Sequence, residues 1–150
     1  MPDQLNNYGE EFCQKLIWAS DQISRPANLE VLLYDDSTDN LGDGDDLNAI
    51  STEPTDGNYQ RQQIAFDSSS FTVQADGSGN WEAEMLDVVF DVINSTGDVD
   101  GYAVLANFQS EEAGDSSAND HVIMTGSLDQ SYPLSKSDRI TTQNGGSVMD

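Results

Sequence analysis

Acidic residues outnumber basic residues by 28 to 5 in this chain of 150 residues, which gives it a formal net charge of -23. Like charges at this density repel one another across the surface and destabilise a compact state at ordinary ionic strength. A chain with this charge therefore needs something outside it that screens or compensates the repulsion, or a surface that need not be ordered. The possibilities are concentrated salt, bound calcium, a basic partner, or a surface that permits disorder.

The kind of acid and its distribution favour concentrated salt. Asp outnumbers Glu by 20 to 8, Lys15 and Lys136 are the only lysines, and acids occur throughout the sequence. At about 1 M salt the Debye length falls to roughly 3 Å, so neighbouring carboxylates interact little. We therefore expect a protein of a haloarchaeon or another cell that accumulates salt, or of a virus of such a cell. An acidic disordered chain is the alternative, but 36% apolar residues, with five Phe, two Trp and five Tyr, favour a real core.

Length and cysteine content predict one soluble domain over residues 1–150. A domain of about 150 residues buries most of its unfolded surface without covalent staples. Cys13 is the only cysteine, which excludes an internal disulfide, and its place in a helical pattern predicts a small, buried apolar role. The first residues lack the basic region and apolar run of a secretory signal, and no apolar run approaches the roughly 20 residues that cross a bilayer. We therefore expect neither a secretory signal nor a membrane partner.

The hydrophobic period changes from helical to strand-like along the chain. Apolar residues three and four positions apart predict one amphipathic helix over residues 5–24. Turn residues then separate predicted strands at 28–34, 62–66, 71–75, 81–93, 101–108, 121–128 and 139–148. Between the first two strands, residues 35–56 contain eight acids and predict a long exposed loop. The pattern predicts a mainly β fold, an antiparallel and jelly-roll-like β-sandwich over 28–148 with one N-terminal helix.

The residues that catalysis would need are scarce. His121 is the sole histidine and begins a predicted strand, where we expect a solvated side chain and not a catalytic base. Without a second histidine or a pair of cysteines, the usual zinc ligand sets cannot form within the chain. The five basic residues are scattered, which excludes direct binding of nucleic acid. A DNA mimic would fit the charge but fits the strand-rich core less well. Because residues suited to catalysis are scarce, we expect a protein that is not an enzyme.

Calcium remains an alternative at the acidic segment DDSTDNLGDGDD. Hard cations prefer several oxygen ligands on a flexible loop, and Asp35, Asp39, Asp43 and Asp46 offer them. The EF-hand pattern is not met, because Asn40 stands where a glycine is required and Asp46 stands where glutamate is usual. A hydrated acidic face is therefore preferred to a site for Ca²⁺ or another cation, and no cofactor is expected.

Four segments carry a resemblance to a known family. VLLYDDST (31–38) stands where that family has VALYTS, and GNYQRQQIAF (57–66) stands where it has GGYARQAVTF. DVVFDVINSTGDVDGYAVLAN (87–107) and VIMTGSLDQSYPLSKSDRI (122–140) are similar to its later strand and turn patterns, although the family more often has a tryptophan-led form of GYAVLAN. Over about residues 5–145 the chain resembles the small jelly-roll-like structural proteins of tailed viruses, which include decoration, turret and tail proteins.

The resemblance implies a non-enzymatic virion protein of a haloarchaeal tailed virus. Such a protein would be made in the cytoplasm of a high-salt host and would assemble as a homo-oligomer on the capsid surface, as a turret or decoration protein. Its partners would be copies of itself and the major capsid or other virion proteins. A tail component or receptor-binding protein of the same virion is one alternative, and a cellular halophilic binding module is another.

Particular residues are expected to carry packing and assembly. Gly57 permits a turn, Tyr59 can bury its ring while its hydroxyl reaches a backbone partner, and Arg61 is expected to form an ion pair that fixes the return of the acidic loop to the sheet. The helix stripe and the apolar strand faces are expected to supply a dry subunit interface. The expected packing and assembly residues are Phe12, Leu16, Tyr59, Arg61, Trp81, Phe90 and Tyr102, and the expected solvent or ion face consists of Asp35, Asp39, Asp43 and Asp46.

Overall fold

The chain is mainly β, with antiparallel sheets and one N-terminal helix of three turns, as the sequence predicts. The computed structural model describes residues 4–143 and 145–149, and it gives the backbone alone at residues 4 and 145–149. The helices are α1 (Asn7–Trp18) and the single turn α2 (Asp36–Asp39). The strands are β1 (Gln4–Leu5), β2 (Asn28–Tyr34), β3 (Gln62–Ala65), β4 (Phe71–Ala75), β5 (Trp81–Met85), β6 (Val89–Asp91), β7 (Asp98–Phe108), β8 (Asn119–Pro133), β9 (Arg139–Thr141) and β10 (Gly145–Met149).

These strands form three antiparallel sheets. The largest has five strands in the order β1-β8-β7-β2-β3, the second has the order β10-β5-β4, and the third pairs β6 with β9. The long strands β7 and β8 form the centre of the molecule, and their register shifts between Val99 and Gly101 and between Val104 and Leu105. Such bulges increase the local twist of a strand pair. The jelly-roll connectivity that was predicted is not confirmed.

The five-stranded sheet is covered on both faces. Val31 and Leu33 of β2 join the main core, which helix α1 covers. Leu32 and Tyr34, on the opposite face of the same strand, join a second cluster. A strand buried on both sides needs apolar residues at nearly every position, which explains the continuous apolar run of β2.

Helix α1 is shorter at both ends than the predicted helix. Asn6 accepts a hydrogen bond from the backbone nitrogen of Gly9 at 2.9 Å and so caps the first turn. Leu5 lies instead in β1, opposite Met124 of β8. The helix ends at Trp18, and a separate 3-10 turn follows at Ser20–Gln22. Local capping therefore overrides the longer apolar periodicity.

The predicted strands 28–34 and 71–75 have the observed bounds, but two longer predictions each divide. The segment 81–93 forms β5 and β6, because the backbone nitrogen of Leu86 donates to the carbonyl of Ser70 and β6 then pairs with β9. The segment 139–148 forms β9 and β10, and residue 144 between them lies outside the described residues. Pairing with different partners, which periodicity does not encode, sets these boundaries.

Candidate functional site

The acidic segment 35–56 is not the exposed loop that the sequence predicted. Leu41, Leu47 and Ile50 pack against the second cluster and cover that face of the five-stranded sheet. Asp39 accepts hydrogen bonds of 2.6–3.1 Å from the backbone nitrogens and hydroxyls of Ser51 and Thr52. Burial opposes ionisation of Asp39, but these bonds outweigh it and lower the pKa of its carboxyl. Hydrogen bonds to an acid of the segment therefore stabilise its conformation.

The four predicted cation ligands are not gathered into one site. Asp35 accepts hydrogen bonds from the hydroxyls of Ser37 and Thr38, and of the four acids Asp43 alone is fully exposed. Among the described residues, no group of three or more acids, histidines and cysteines could hold a metal ion. The expected solvent face is also wrong in part, because Asp35, Asp39 and Asp46 are half-buried. Their oxygens bind donors of the same chain.

His121 is buried between two carboxylates, contrary to the expected solvated position. Its side chain lies 2.6 Å, from Nδ1 to Oδ2, from Asp46 and 2.5 Å, from Nε2 to Oδ2, from Asp115, and the residue is 3% exposed. An ionised carboxylate only accepts hydrogen bonds, so both ring nitrogens must donate, which requires the imidazolium. We call the three side chains of Asp46, His121 and Asp115 the histidine clamp. It joins the segment 35–56 and the segment 109–118 to the start of β8.

Aromatic rings and a backbone contact fix the position of the histidine clamp. The ring of Tyr8 stacks on that of His121 with centroids 5.2 Å apart and planes 5° apart, while Phe108 meets it edge-on. The second oxygen of Asp46 accepts a hydrogen bond of 2.8 Å from the backbone nitrogen of Val122. With both nitrogens occupied and the ring enclosed, His121 has no free basic position to offer a substrate. The clamp is a structural device.

The charge balance of the histidine clamp favours the protonated ring. Burial alone would lower the pKa of His121, but the hydrogen bonds and charges of Asp46 and Asp115 outweigh it and raise that pKa above its usual value. The pKa of Asp115 is lowered, first by its hydrogen bond from the backbone of Ser110 and then by His121. The folded state therefore favours the protonated form of His121 together with the ionised form of Asp115.

Helix α1 holds the segment after β7 through a third acid. Glu11 accepts hydrogen bonds from the hydroxyl of Ser110 at 2.7 Å and from the backbone nitrogen of Glu111 at 2.6 Å. Lys15, one turn later on the helix, lies 3.0 Å from the same Glu11 carboxylate. These contacts place the segment 109–118 where Asp115 can reach His121.

The expected ion pair of Arg61 is confirmed. Its guanidinium donates two hydrogen bonds to Glu53, at 2.7 and 2.8 Å, in the bidentate geometry that arginine favours. The hydroxyl of Tyr59 donates to the same carboxylate and accepts from the backbone nitrogen of Leu33 at 3.0 Å. The ring of Tyr59 stacks on Phe90 with planes 9° apart. This group fastens the end of the acidic segment to β2, as the sequence predicted.

The other predicted packing residues divide between core and surface. Phe12, Phe90 and Tyr102 are buried in the main core, and Leu16 is half-buried against it. Part of the helix stripe is therefore used within the chain, whereas Ile17 of the same stripe is 56% exposed, so a subunit interface there stays a prediction. Trp81 is 61% exposed and is not a core residue. Exposed large apolar side chains occur at the end of helix α1, at Ile17 and Trp18, and on the hairpin of β4 and β5.

The hairpin of β4 and β5 has one apolar and one polar face. Phe71, Val73 and Ala75 lie directly opposite Met85, Ala83 and Trp81, and opposed residues share a face. The base of this apolar face is covered, with Met85 buried. Its tip is not, because Val73 is 66% and Trp81 is 61% exposed. We call the face near the tip, formed by Val73, Ala75 and Trp81, the hairpin tip face.

The side chains on the polar face of the hairpin contact one another. The amide nitrogen of Gln74 donates to Glu82 at 2.9 Å and lies 3.4 Å from Glu84. Thr72 completes this face at a position opposite Glu84. One face of the hairpin is therefore polar and can stay hydrated. The other face is apolar, as in a protein core.

Sequence reasoning missed the histidine clamp and the exposed position of Trp81. The burial of His121 could have been anticipated from the alternation of β8, because His121 and Ile123 share a face of that strand. The two acid partners are 75 and 6 residues away from His121 along the chain, so no local signal marks them. The exposure of Trp81 depends on what packs against the hairpin in the folded chain, which periodicity does not express.

None of the helices in the described part of the chain is long and apolar enough to span a bilayer. Compared with protein-family models, with curated proteins and with solved structures, the chain matches none of them.

Proposed function

We propose that this chain is a non-enzymatic structural protein of the virion of a haloarchaeal tailed virus, which assembles with copies of itself on the capsid surface as a turret or decoration protein. The hairpin tip face supports assembly, because it leaves Val73 and Trp81 largely exposed. The net charge of -23 supports molar salt as the working solvent. The four segments similar to tailed-virus structural proteins support the virion setting.

Molar salt makes this surface suitable for association. Screening at about 1 M salt removes most of the repulsion between two strongly acidic copies. Burial of apolar surface does not depend on charge and remains effective there. Tryptophan is also the residue type in which interface energy most often concentrates. Trp81 is therefore the proposed anchor, while Glu82 and Glu84 on the opposite face stay hydrated.

Sedimentation velocity in molar potassium chloride tests the assembly surface. We expect the unaltered chain to form a discrete oligomer and Trp81→Ser to raise its dissociation constant at least about 30-fold, the effect of losing a 2 kcal/mol anchor. Val73→Ser should weaken the oligomer less, because its buried area is smaller.

Gln74→Ala is the matched control, because it lies on the same hairpin but on the polar face. It should leave the dissociation constant unchanged. A chain that is monomeric at every protein and salt concentration would overturn the assembly proposal, and so would equal effects of the Trp81 and Gln74 substitutions.

Mass spectrometry of purified haloarchaeal virions tests the setting. Many copies of the chain per particle would support a capsid position. A few copies would indicate a tail component or receptor-binding protein. Absence from particles produced in cells that make the chain would indicate a cellular binding module and overturn the virion proposal.

A further inference from the structure

A cavity of about 450 Å³ lies between helix α1, the five-stranded sheet and the β4–β5 hairpin. Phe12 belongs to its helix wall, Leu29 and Val104 to its sheet wall, and Phe71 and Ala83 to its hairpin wall. Voids left by imperfect packing are rarely larger than a water molecule. A volume of 450 Å³ is instead in the range of small-molecule sites, which are mainly apolar with a few placed polar groups.

One cation lines this apolar cavity. Arg25 lies against its edge, where the guanidinium carbon is 3.9 Å from the centroid of the Phe66 ring. Its Nη2 donates a 2.7 Å hydrogen bond to the carbonyl of Phe66. These two contacts orient the guanidinium, and a guanidinium has five N–H groups to donate. Arg25 therefore has donors to spare beside an apolar space.

Arg25 differs from the other lysines and arginines by its place at the cavity. Lys15 binds Glu11 and Glu111, and Arg61 binds Glu53. Arg25, Lys136 and Arg139 form no ion pair with another described residue, and of these three Arg25 alone lines the cavity. Asp67 also lines the cavity, where hydrogen bonds from the hydroxyl and backbone of Ser69 and, less strongly, the charge of Arg25 lower the pKa of its carboxyl.

We infer that the cavity binds a free amphipathic anion, a molecule with an apolar body and a single carboxylate or sulfonate head. The body would lie between Phe12, Phe71 and Val104, and the head would accept hydrogen bonds from Arg25. The acidic surface repels anions at low salt, so screening would aid entry, while burial of the body supplies most of the affinity. The cavity adjoins the hairpin tip face, since Val73 belongs to both, but binding of the anion does not require the proposed assembly.

Two fluorescent probes that differ by one charged group test the inference. Anilinonaphthalene sulfonate has an apolar body and one sulfonate, and phenylnaphthylamine is the same body without it. In titrations of the full chain in molar potassium chloride, we expect saturable binding of both probes. Octanoate should displace the sulfonate probe.

Substitutions then separate the head from the body. Arg25→Gln should weaken binding of the sulfonate about three-fold, as expected of a solvent-exposed ion pair, and leave the neutral probe unchanged. Ala83→Phe, which occupies the hairpin wall, should weaken binding of both probes at least about ten-fold. Arg139→Gln is the matched control, because Arg139 is an exposed arginine that does not line the cavity, and it should change neither affinity.

Three results would overturn the inference: no saturable uptake of either probe, equal losses in Arg25→Gln and Arg139→Gln, or attachment to vesicles of anionic phospholipid without uptake of the monomeric probes. If Ala83→Phe does not fold, as judged by circular dichroism, the comparison of Arg25→Gln with Arg139→Gln still decides the question.

Discussion

His121 is the residue whose protonation state the structure constrains most strongly. Two carboxylates face its ring nitrogens, and Tyr8 and Phe108 enclose the ring on other sides. Removing one member of such a group leaves a buried charge without its partner. The resulting loss of stability is larger than the net stability that the intact group contributes. The acidic segments on either side of His121 are thus stabilised by a single shared cation.

The histidine clamp predicts a stability maximum in mildly acidic solution. Because the pKa of His121 is raised, its stabilising effect is complete below about pH 6.5, the unfolded value, and is lost as the pH rises through the folded-state pKa. Because the pKa of Asp115 is lowered, its effect is present above about pH 3.9 and is lost as the pH falls through the folded-state pKa. Thermal unfolding in molar salt should follow this profile.

A direct measurement is available because the chain has one histidine. Its imidazole resonances should titrate above pH 6.5, the ordinary value for histidine. His121→Gln should remove the alkaline limb of the thermal profile. A titration below the ordinary value, or an unchanged limb in the variant, would contradict the clamp.

Residue roles were predictable from the sequence where the partners are near in the chain. Arg61 and Glu53 are eight residues apart, and the surplus of acids made an ion pair expected. For Tyr59 the sequence predicted a backbone partner for the hydroxyl, as an amphipathic ring allows, but it did not identify Leu33, which is 26 residues away. The ion pair of His121 with Asp46 was not predictable in the same way, because the acidic composition of segment 35–56 predicts an exposed loop.

At the scale of elements, helix α1 lies very close to β8. Gly9 is buried on the helix, and a Cβ atom at this position would overlap the carbonyl oxygen of Ile123. Glycine is usually unfavourable within a helix, so close approach to the sheet is the physical reason for its presence here. The position of the whole helix depends on this one missing side chain.

Gly9→Ala should therefore destabilise the protein despite the better helix propensity of alanine. Propensity favours alanine by about 1 kcal/mol, whereas overpacking against a backbone that cannot rotate away costs about 1–3 kcal/mol. Because the clash is with backbone atoms, we expect a cost near the upper end and a net loss of up to about 2 kcal/mol in the free energy of unfolding, measured with urea in molar salt.

Gly44→Ala is the comparison for this substitution, since the nearest atom to a Cβ there is 3.8 Å away. It should change stability by less than about 0.5 kcal/mol. Equal stabilities of the two variants would show that the helix can move off β8 without cost.

Element types were more predictable than element ends. The alternation of apolar residues separates Val88, Phe90 and Val92, which are buried, from Val89 and Ile93, which are exposed. The alternation fails at Leu86, which is exposed, and at Met85, which is buried, because the chain changes sheet at that point. Likewise, the few apolar residues of segment 35–56 were outweighed by its acids in the sequence, yet they decide its position against the sheet.

At the scale of the whole molecule, the dominant quantity is the net charge of -23. Salt bridges recover little of this repulsion, because the chain has five lysines and arginines in total. Many acids instead accept hydrogen bonds from nearby backbone and hydroxyl groups, as Asp35, Asp39 and Glu11 do. Such local bonds persist in strong salt better than long-range attraction between exposed charges.

We expect the urea midpoint of unfolding to rise steeply between dilute buffer and molar potassium chloride. Screening reduces repulsion in the folded state, where acids are closer together than in the unfolded chain. Neutralising three exposed acids in Asp87→Asn, Asp98→Asn and Asp138→Asn should raise the midpoint in dilute buffer and change it little in molar salt. An identical midpoint for the unaltered chain in both solvents would contradict a dependence on screening.

The lone thiol of Cys13 gives the molecule a built-in reporter. It is half-buried in the helix wall of the cavity, and burial raises its pKa, so it should react slowly with thiol reagents. Since no second cysteine competes, any label is attached at one known position. Its rate of modification would register every event that widens, fills or closes that space.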